Sequence, residues 1–416
     1  MKALLSVTFF TALLTALRML AGFVTAKVVA IYAGPSGIAM VGQLQNLVNG
    51  LAGLMNSPVG SSVVRFTAEN HEDGYTSCAP WWRVSLRGVI CLSILIMPVI
   101  GYFSREVSIW LFGDAEFSWL VMVTVFTLPF TAIGTLVTSV INGQQKYKQF
   151  VCLGMLSVLI SSSVMLFLVI SKGLVGALLA AAIQNGLIGI AILVFALRQP
   201  WFKIKYWFGA VDRHRVKIIS GYILMAVASA ITMPMAMIYI RKILVAYVGW
   251  EVTGYWQSVW KISEAYLAIV TLSLSTYYFP QLSKLHTYAE IKKEINSTAK
   301  VIMPIVLFMA VGIYLFRDVA ISLLFTEKFK AARDLFAIQL IGDVIKIFSW
   351  LYAYPMLSRG AVKWFVPSEI IFAVSLTLLC WLFVRNYGVQ GANIAYCVNY
   401  ILYLLFVIFN IKKFAR

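Results

Sequence analysis

Apolar runs of about twenty residues or more recur along the whole chain, separated by short polar or charged breaks. They fall at 5–33, 36–66, 82–103, 117–141, 149–171, 173–197, 216–248, 251–281, 299–316, 333–357, 364–385 and 388–411. Each is long enough, as a helix, to cross a hydrocarbon layer about 30 Å thick. The pattern predicts an all-α polytopic membrane protein with twelve transmembrane helices. The first run follows Lys2 as a signal peptide would, but it is too long for a secretory h-region and holds Arg18, so it reads as a retained helix.

The polar breaks carry a second pattern. Lys27-Val-Val-Ala-Ile-Tyr32-Ala-Gly34 returns as Lys242-Ile-Leu-Val-Ala-Tyr247-Val-Gly249, shifted by 215 residues. Gly173–Ala177 matches Gly388–Ala392 at the same shift, Arg105–Ile109 matches Arg317–Ile321 at 212, and Gly143–Lys146 matches Gly360–Lys363 at 217. Four matches in register predict one unit written twice. Six spans per unit is an even number, so the two units insert in the same sense, as two parallel six-helix lobes around a central cavity. The expected lobes are 1–197 and 218–416. The linker 198–217 holds Pro200, a run of aromatics and six bases.

Composition supports the membrane reading. The chain is 61% hydrophobic and 12% charged, with mean hydropathy +0.87, against about 25% charged residues in a soluble domain. The net charge of +18 suggests nucleic acid at first sight. The bases, however, lie on short loops between spans. With the N-terminus inside, one face collects Lys2, Arg65, Arg83, Arg87, Lys146, Lys148, the 198–217 bases, Lys284, Lys292, Lys293, Lys300, Arg359, Lys363, Lys412, Lys413 and Arg416. The other face collects fewer, with Arg241 and Lys242 near its edge. The asymmetry places both termini in the cytoplasm.

No stretch carries recognisable enzyme chemistry. There is no GxxxxGK[ST] phosphate loop, no His-x-Glu, no Cys-x-x-Cys and no Gly-x-Ser-x-Gly. His71, His214 and His286 lie apart in loops and read as solvated. The five cysteines, Cys78, Cys91, Cys152, Cys380 and Cys397, read as inert thiols rather than a disulfide framework. No catalytic residue, cofactor or metal site is expected. A membrane glycosyltransferase or polymerase would need a sizeable loop bearing acid and base, and the loops are too short.

Polar residues inside the spans cost a few kcal/mol each, so each needs a reason. Arg18, near the centre of the first run, is either one half of an ion pair with another span or a cation facing a water-filled cavity. Lys27 and Lys242 can snorkel to the interface. Gln45, Asn49 and Asn56 share one helical face, beside Gln43 and Asn46. They serve either interhelical hydrogen bonds or a cavity. Shifting Asn46 and Asn49 by 215 gives Lys261 and Glu264, which puts polar groups at one depth in both halves and favours a shared cavity. Lys261–Glu264, at i, i+3, can also neutralise one another, as can Asp343–Lys346, which share a face with Gln339. Glu264 and Asp343 are the candidates for ion coupling. Glu369 lies close enough to the cytoplasm to be hydrated. Tyr255, Trp256, Trp260 and Tyr266 are either interfacial anchors or flat faces for sugars.

Three segments carry a family likeness: Gly254–Tyr266, Phe329–Lys346 and the turn Tyr32–Gly37. They resemble the bacterial O-antigen translocases and lipid III flippases, polysaccharide transporters of the multidrug/oligosaccharidyl-lipid/polysaccharide exporter superfamily. The likeness spans nearly the whole chain and is strongest from Gly221 to Trp350. It implies two six-helix lobes around an alternating-access cavity in the bacterial inner membrane. The implied cargo is an undecaprenyl-diphosphate-linked oligosaccharide, either an O-antigen unit or the common-antigen lipid III, passed on to a polysaccharide polymerase and chain-length regulator. A diphosphate needs a cation to cross hydrocarbon, and Arg18, Lys261 and Lys346 suit that role. Gln45, Asn49 and Trp256 complete the expected substrate-binding set. The resemblance also implies a cation near Gln45 in the lipid III members, where Lys261 would be small and polar; here the charge lies in the other half, which favours an O-antigen unit. A multidrug or cation-coupled exporter of the same fold is the alternative.

Overall fold

The computed structural model describes the backbone of residues 2–285 and 287–414, with side chains described outside 2–12, 221, 222, 224, 225 and 276. His286 and Arg416 of the sequence reading therefore lie outside the described residues. The regular elements described are all helical. In chain order they are α1 (Lys2–Asn56), α2 (Ser61–Asn70), α3 (Tyr75–Tyr102), α4 (Ser104–Phe112), α5 (Ser118–Gly143), α6 (Tyr147–Ala196), α7 (Ile204–Trp207) and α8 (Arg213–Ser273). A π turn (Leu274–Tyr278) leads into α9 (Phe279–Lys284), followed by α10 (Tyr288–Leu315), α11 (Arg317–Leu324), a 3₁₀ turn (Glu327–Leu335), α12 (Phe336–Ser358), α13 (Val362–Tyr387) and α14 (Gln390–Phe414).

Among the described residues, nine helices are long and apolar enough to cross a membrane, rather than twelve. The difference lies in three long helices, α1, α6 and α8. Each breaks at one glycine that leaves helical geometry: Gly34 (φ 65°, ψ −168°), Gly173 (φ 56°, ψ −130°) and Gly249 (φ 79°, ψ 171°). A side chain at positive φ would collide with the backbone, so glycine is the residue these corners require. They fall at three of the span boundaries expected from the apolar pattern.

The 215-residue repeat is written in the backbone itself. Gly34 and Gly249 share one left-handed corner, as do Gly173 and Gly388 (φ 56°, ψ −141°). A third corner corrects the sequence register. Gly360 (φ 60°) corresponds not to Gly143 but to Gln145 (φ 57°). Lys146 N donates to Ile141 O and Ala361 N to Met356 O, the same capping bond 215 residues on. Gln145 holds a conformation a glycine would hold more cheaply, and residue identity alone had pulled the match two positions away.

Two helices begin well before their apolar runs. α3 starts at Tyr75 rather than 82, and α10 at Tyr288 rather than 299. In α10 the extra turns are polar (Glu290, Lys292, Lys293, Glu294). They are initiated by Thr287, whose hydroxyl accepts from Glu290 N while the Glu290 carboxylate accepts from Thr287 N. A capping box satisfies two end donors without any apolar residue, so hydropathy missed it.

The chain divides into two compact units, one of residues 1–32 and 43–234, the other of 33–42 and 235–416. Their three boundaries, at 32/33, 42/43 and 234/235, lie outside residues 198–217. In the first unit that segment is packed rather than free: Trp201 and Trp207 are buried against Trp82, at ring-centroid distances of 6.0 and 5.2 Å. α5 and α6 meet where Gly134 faces Gly189, and a Cβ on Gly134 would lie 2.7 Å from the Gly189 Cα. Small residues that let helix backbones approach are the usual device in lipid, where apolar burial does not drive helix association. In the second unit α12 and α14 use the same device, Gly342 against the ring of Tyr396. Residues 33–42 belong there because Gly254 leaves room for Pro35, whose carbonyl oxygen would lie 2.0 Å from a Cβ at 254.

Candidate functional site

The first unit holds a cavity of about 530 Å³. α1 contributes Arg18, Asn49 and Asn56, α5 contributes Thr131, Thr135 and Thr138, and α6 contributes Ser157, Ser161 and Asn185. The threonines stand at i, i+4 and i+7 and so form one stripe along α5. Each hydroxyl proton is spent on its own helix: Thr131 donates to Thr127 O (3.2 Å), Thr135 to Thr131 O (3.1 Å), Thr138 to Gly134 O (3.0 Å), Ser157 to Leu153 O (2.7 Å) and Ser161 to Val158 O (3.1 Å). Their oxygens keep lone pairs free to accept. The wall therefore accepts hydrogen bonds through its hydroxyls and donates through Arg18 and the asparagine amides. It contains no carboxylate among the described residues.

The second unit places a different cavity at the same point of its repeat. It measures about 200 Å³ and is lined by Trp350, Ala353, Tyr354, Leu357, Phe365, Glu369 and Tyr403. Subtracting 215 from five of these gives Thr135, Thr138, Phe150, Gly154 and Ile188, all in the wall of the first cavity. Asn185 and Thr131 likewise correspond to Tyr400 and Lys346. The two cavities occupy one structural position, open and polar in the first half, narrowed by aromatic rings in the second.

Lys346 stands outside this cavity's lining but shares one of its rings, Trp350. Its ammonium lies 5.0 Å from the Trp350 ring centroid, 5.5 Å from Tyr400, 5.6 Å from Tyr396 and 5.8 Å from Trp260. Four π faces replace the carboxylate partner expected from sequence. Asp343 and Lys346 form no ion pair within 4.0 Å, and neither do Lys261 and Glu264. Asp343 is fully buried and instead accepts from Tyr266 Oη (2.8 Å), Tyr396 Oη (2.8 Å) and Gln339 Nε2 (3.3 Å). Glu264 is exposed and accepts from Trp260 Nε1 at 2.8 Å.

The residues named from sequence separate into two groups. Arg18 and Asn49 meet in the first cavity. Lys261, Glu264, Asp343, Lys346 and Trp256 belong to the second unit. Gln45 is half-buried and lies outside the lining of the first cavity. Trp256 is 2% exposed and packs on Trp260 at 5.4 Å. Sequence reasoning missed the α5 threonine stripe, Ser157, Ser161 and Asn185. It also set Arg241 near the membrane edge. Arg241 is buried, with Nε donating to Gln257 Oε1 at 2.8 Å and the guanidinium 5.8 Å from the Trp256 ring.

A family model described as polysaccharide biosynthesis protein matches residues 81–334. The chain belongs to that family. This member of the polysaccharide biosynthesis family is 29% identical to the lipid III flippase of Escherichia coli (strain K12) over 406 residues, 96% of each chain. It matches the lipid III flippase of Shigella flexneri to the same extent. Its fold is shared with a multidrug resistance MATE family transporter of the MOP superfamily in an inward-facing conformation, with TM-score 0.79, 14% identity and 95% of each chain covered. The lipid II flippase MurJ, inward closed, superposes with TM-score 0.71 and 16% identity over 98% of this chain and 87% of that one. At these identities the structures speak for fold alone.

Proposed function

We propose that this chain is a flippase that moves a polyprenyl-diphosphate-linked oligosaccharide from the cytoplasmic to the periplasmic leaflet of the bacterial inner membrane. The observation that carries the reading is the first cavity: one guanidinium, a row of acceptor hydroxyls, several amides and no carboxylate. Sugar hydroxyls are donors that such a wall accepts. A diphosphate is an anion that Arg18 binds in bidentate fashion. The volume lies within the range of small-molecule sites, about 300–1,000 Å³. The lipid III flippases at 29% identity support the same cargo class, although the charge at Lys261 favours an O-antigen unit. The class both share is a lipid-linked oligosaccharide.

The transport reading includes finer structure. Counting α1, α6 and α8 as two spans each gives twelve spans in two parallel six-span repeats, with both termini and the 198–217 segment cytoplasmic. Access alternates without covalent chemistry, with Arg18 and Asn49 of the first unit and Lys261 and Lys346 of the second as the proposed cargo contacts. Glu264, being exposed, is the better placed ion-coupling group, since the oxygens of Asp343 are already occupied. A polymerase and chain-length regulator take the product. A multidrug exporter of the same fold would favour acidic groups for cationic drugs, and the wall around Arg18 opposes that cargo.

Complementation of a flippase-null strain tests the reading. Wild type restores surface polysaccharide, and purified protein binds defined undecaprenyl-diphosphate sugars. A protein that neither complements nor binds them, yet exports cationic dyes, would overturn it.

A further inference from the structure

Residues 197–217 join the end of α6 to the start of α8, and their two faces differ. One face is built into the first unit. Trp201 and Trp207 are buried beside Trp82. Arg83 donates through Nη2 to Lys205 O and Arg87 through Nη2 to Gly209 O, each at 2.6 Å. Two buried indoles and two charge-assisted bonds to carbonyl oxygens fix the backbone. The other face carries three large apolar side chains in the open: Leu197 at 64% exposure, Ile204 at 79% and Phe208 at 61%. Between and beside them stand exposed Arg198, Lys203, Lys205, Arg213 and Lys217. The only acidic residue is Asp212, whose carboxylate accepts from His214 N at 3.0 Å.

The position decides what this face meets. α6 is a membrane-length helix ending at Ala196, and α8, which begins at Arg213, carries the next apolar run from residue 216. The segment is thus continuous with the hydrocarbon boundary at both ends. Rigidly held apolar side chains interleaved with bases at that level match the interfacial pattern, in which apolar groups enter the acyl region and bases meet headgroups. We propose that residues 197–217 form a preformed lipid platform that seats Leu197, Ile204 and Phe208 among acyl chains and binds anionic phospholipid headgroups through Arg198, Lys203, Lys205 and Arg213. The platform does not depend on the cargo reading or on which leaflet the segment faces.

Full-length protein titrated with phosphatidylglycerol and with phosphatidylcholine, read by native mass spectrometry of retained lipid, tests it. Each base near an anionic surface contributes about fivefold in binding. Wild type should retain phosphatidylglycerol in clear preference to phosphatidylcholine. Lys203→Gln/Lys205→Gln should lower phosphatidylglycerol retention by about tenfold or more. Both lysines are exposed, so the fold should stand, and Ile204→Ser/Phe208→Ser should lower retention of both lipids. Lys292→Gln/Lys293→Gln on α10 removes equal charge elsewhere and should change little. Equal retention of the two lipids by wild type, no loss in the 203/205 variant, or the same loss in the 292/293 variant would each overturn the platform.

Discussion

At Thr135 the first half of the chain presents a hydroxyl where the second half presents the indole of Trp350. At Gly154 it has no side chain where the second half has Glu369, and at Ile188 an aliphatic chain where the second half has Tyr403. The backbones at these points belong to the same repeat and turn at the same left-handed corners. Duplication fixed the helices and their breaks, while the side chains diverged towards opposite uses. One copy was hollowed and made polar. The other is narrowed by the rings of Trp350, Tyr354, Phe365 and Tyr403. On the proposed function, cargo contact and aromatic packing fall at corresponding positions of two copies.

The strongest way to break this comparison is at Arg18. Arg18→Ala should abolish complementation of a flippase-null strain at unchanged protein level, and Arg18→Lys should keep part of it. Normal surface polysaccharide from Arg18→Ala would remove the cation from the cargo path. The next test exchanges furnishings between the halves. Thr135→Trp, copied from position 350, should cut transport more than about tenfold by occupying the first cavity, the scale of about 1.4 kcal/mol. Tyr403→Ile, copied from position 188, should cost far less transport. Equal losses in the two would show that both cavities carry cargo.

The charge swaps separate the two acidic sites. Lys261→Glu/Glu264→Lys moves a cation by one turn, about 5 Å. Moving it from 4 to 9 Å from a phosphate loses roughly 2 kcal/mol at an effective dielectric near 20, so the variant should express normally and transport poorly. Asp343→Lys/Lys346→Asp should instead fail to accumulate, because it buries an ammonium against two phenol donors at a cost of several kcal/mol. Immunoblots of membrane fractions distinguish these outcomes, and normal levels of the 343/346 swap would show that the phenol cluster is dispensable. The smallest expected effect is at the turn. Gln145→Gly should raise stability by about 1 kcal/mol and Gly360→Ala lower it by a similar amount, read as shifts of a few degrees in thermal unfolding.

How much of this was legible in the sequence follows from where each constraint lies. Gly34 and Gly249 were readable because a left-handed corner selects its residue. The Gln145 corner was not, because the chain there tolerates the wrong residue and Gly143 offered a false match. Arg18 and Asn49 stood out because charge and amide are expensive in an apolar run. The threonines of α5 did not, since a hydroxyl bonded to its own helix costs little to insert and leaves no anomaly in composition. The i, i+3 spacings of Lys261–Glu264 and Asp343–Lys346 suggested ion pairs. The partners of Asp343 and Lys346, among them Tyr266, Tyr396, Tyr400 and Trp260, come from other helices, and spacing along α12 cannot name them; Glu264 instead bonds Trp260, one turn back on its own helix.

The corners at Gly34, Gly173, Gly249 and Gly388 also bear on how the chain is made. At Gly34, Gly173 and Gly249 one non-helical residue, and at Gly388 two residues, separate successive apolar helices, too short a link to wait at the membrane surface by itself. The pair on either side of such a corner is expected to enter the bilayer together. A tag or protease site placed there would have to prise two helices apart. Insertions are tolerated where the chain already has polar slack, as at His71–Gly74. The glycine corners thus set the units of biosynthesis as well as the shape of the finished helices.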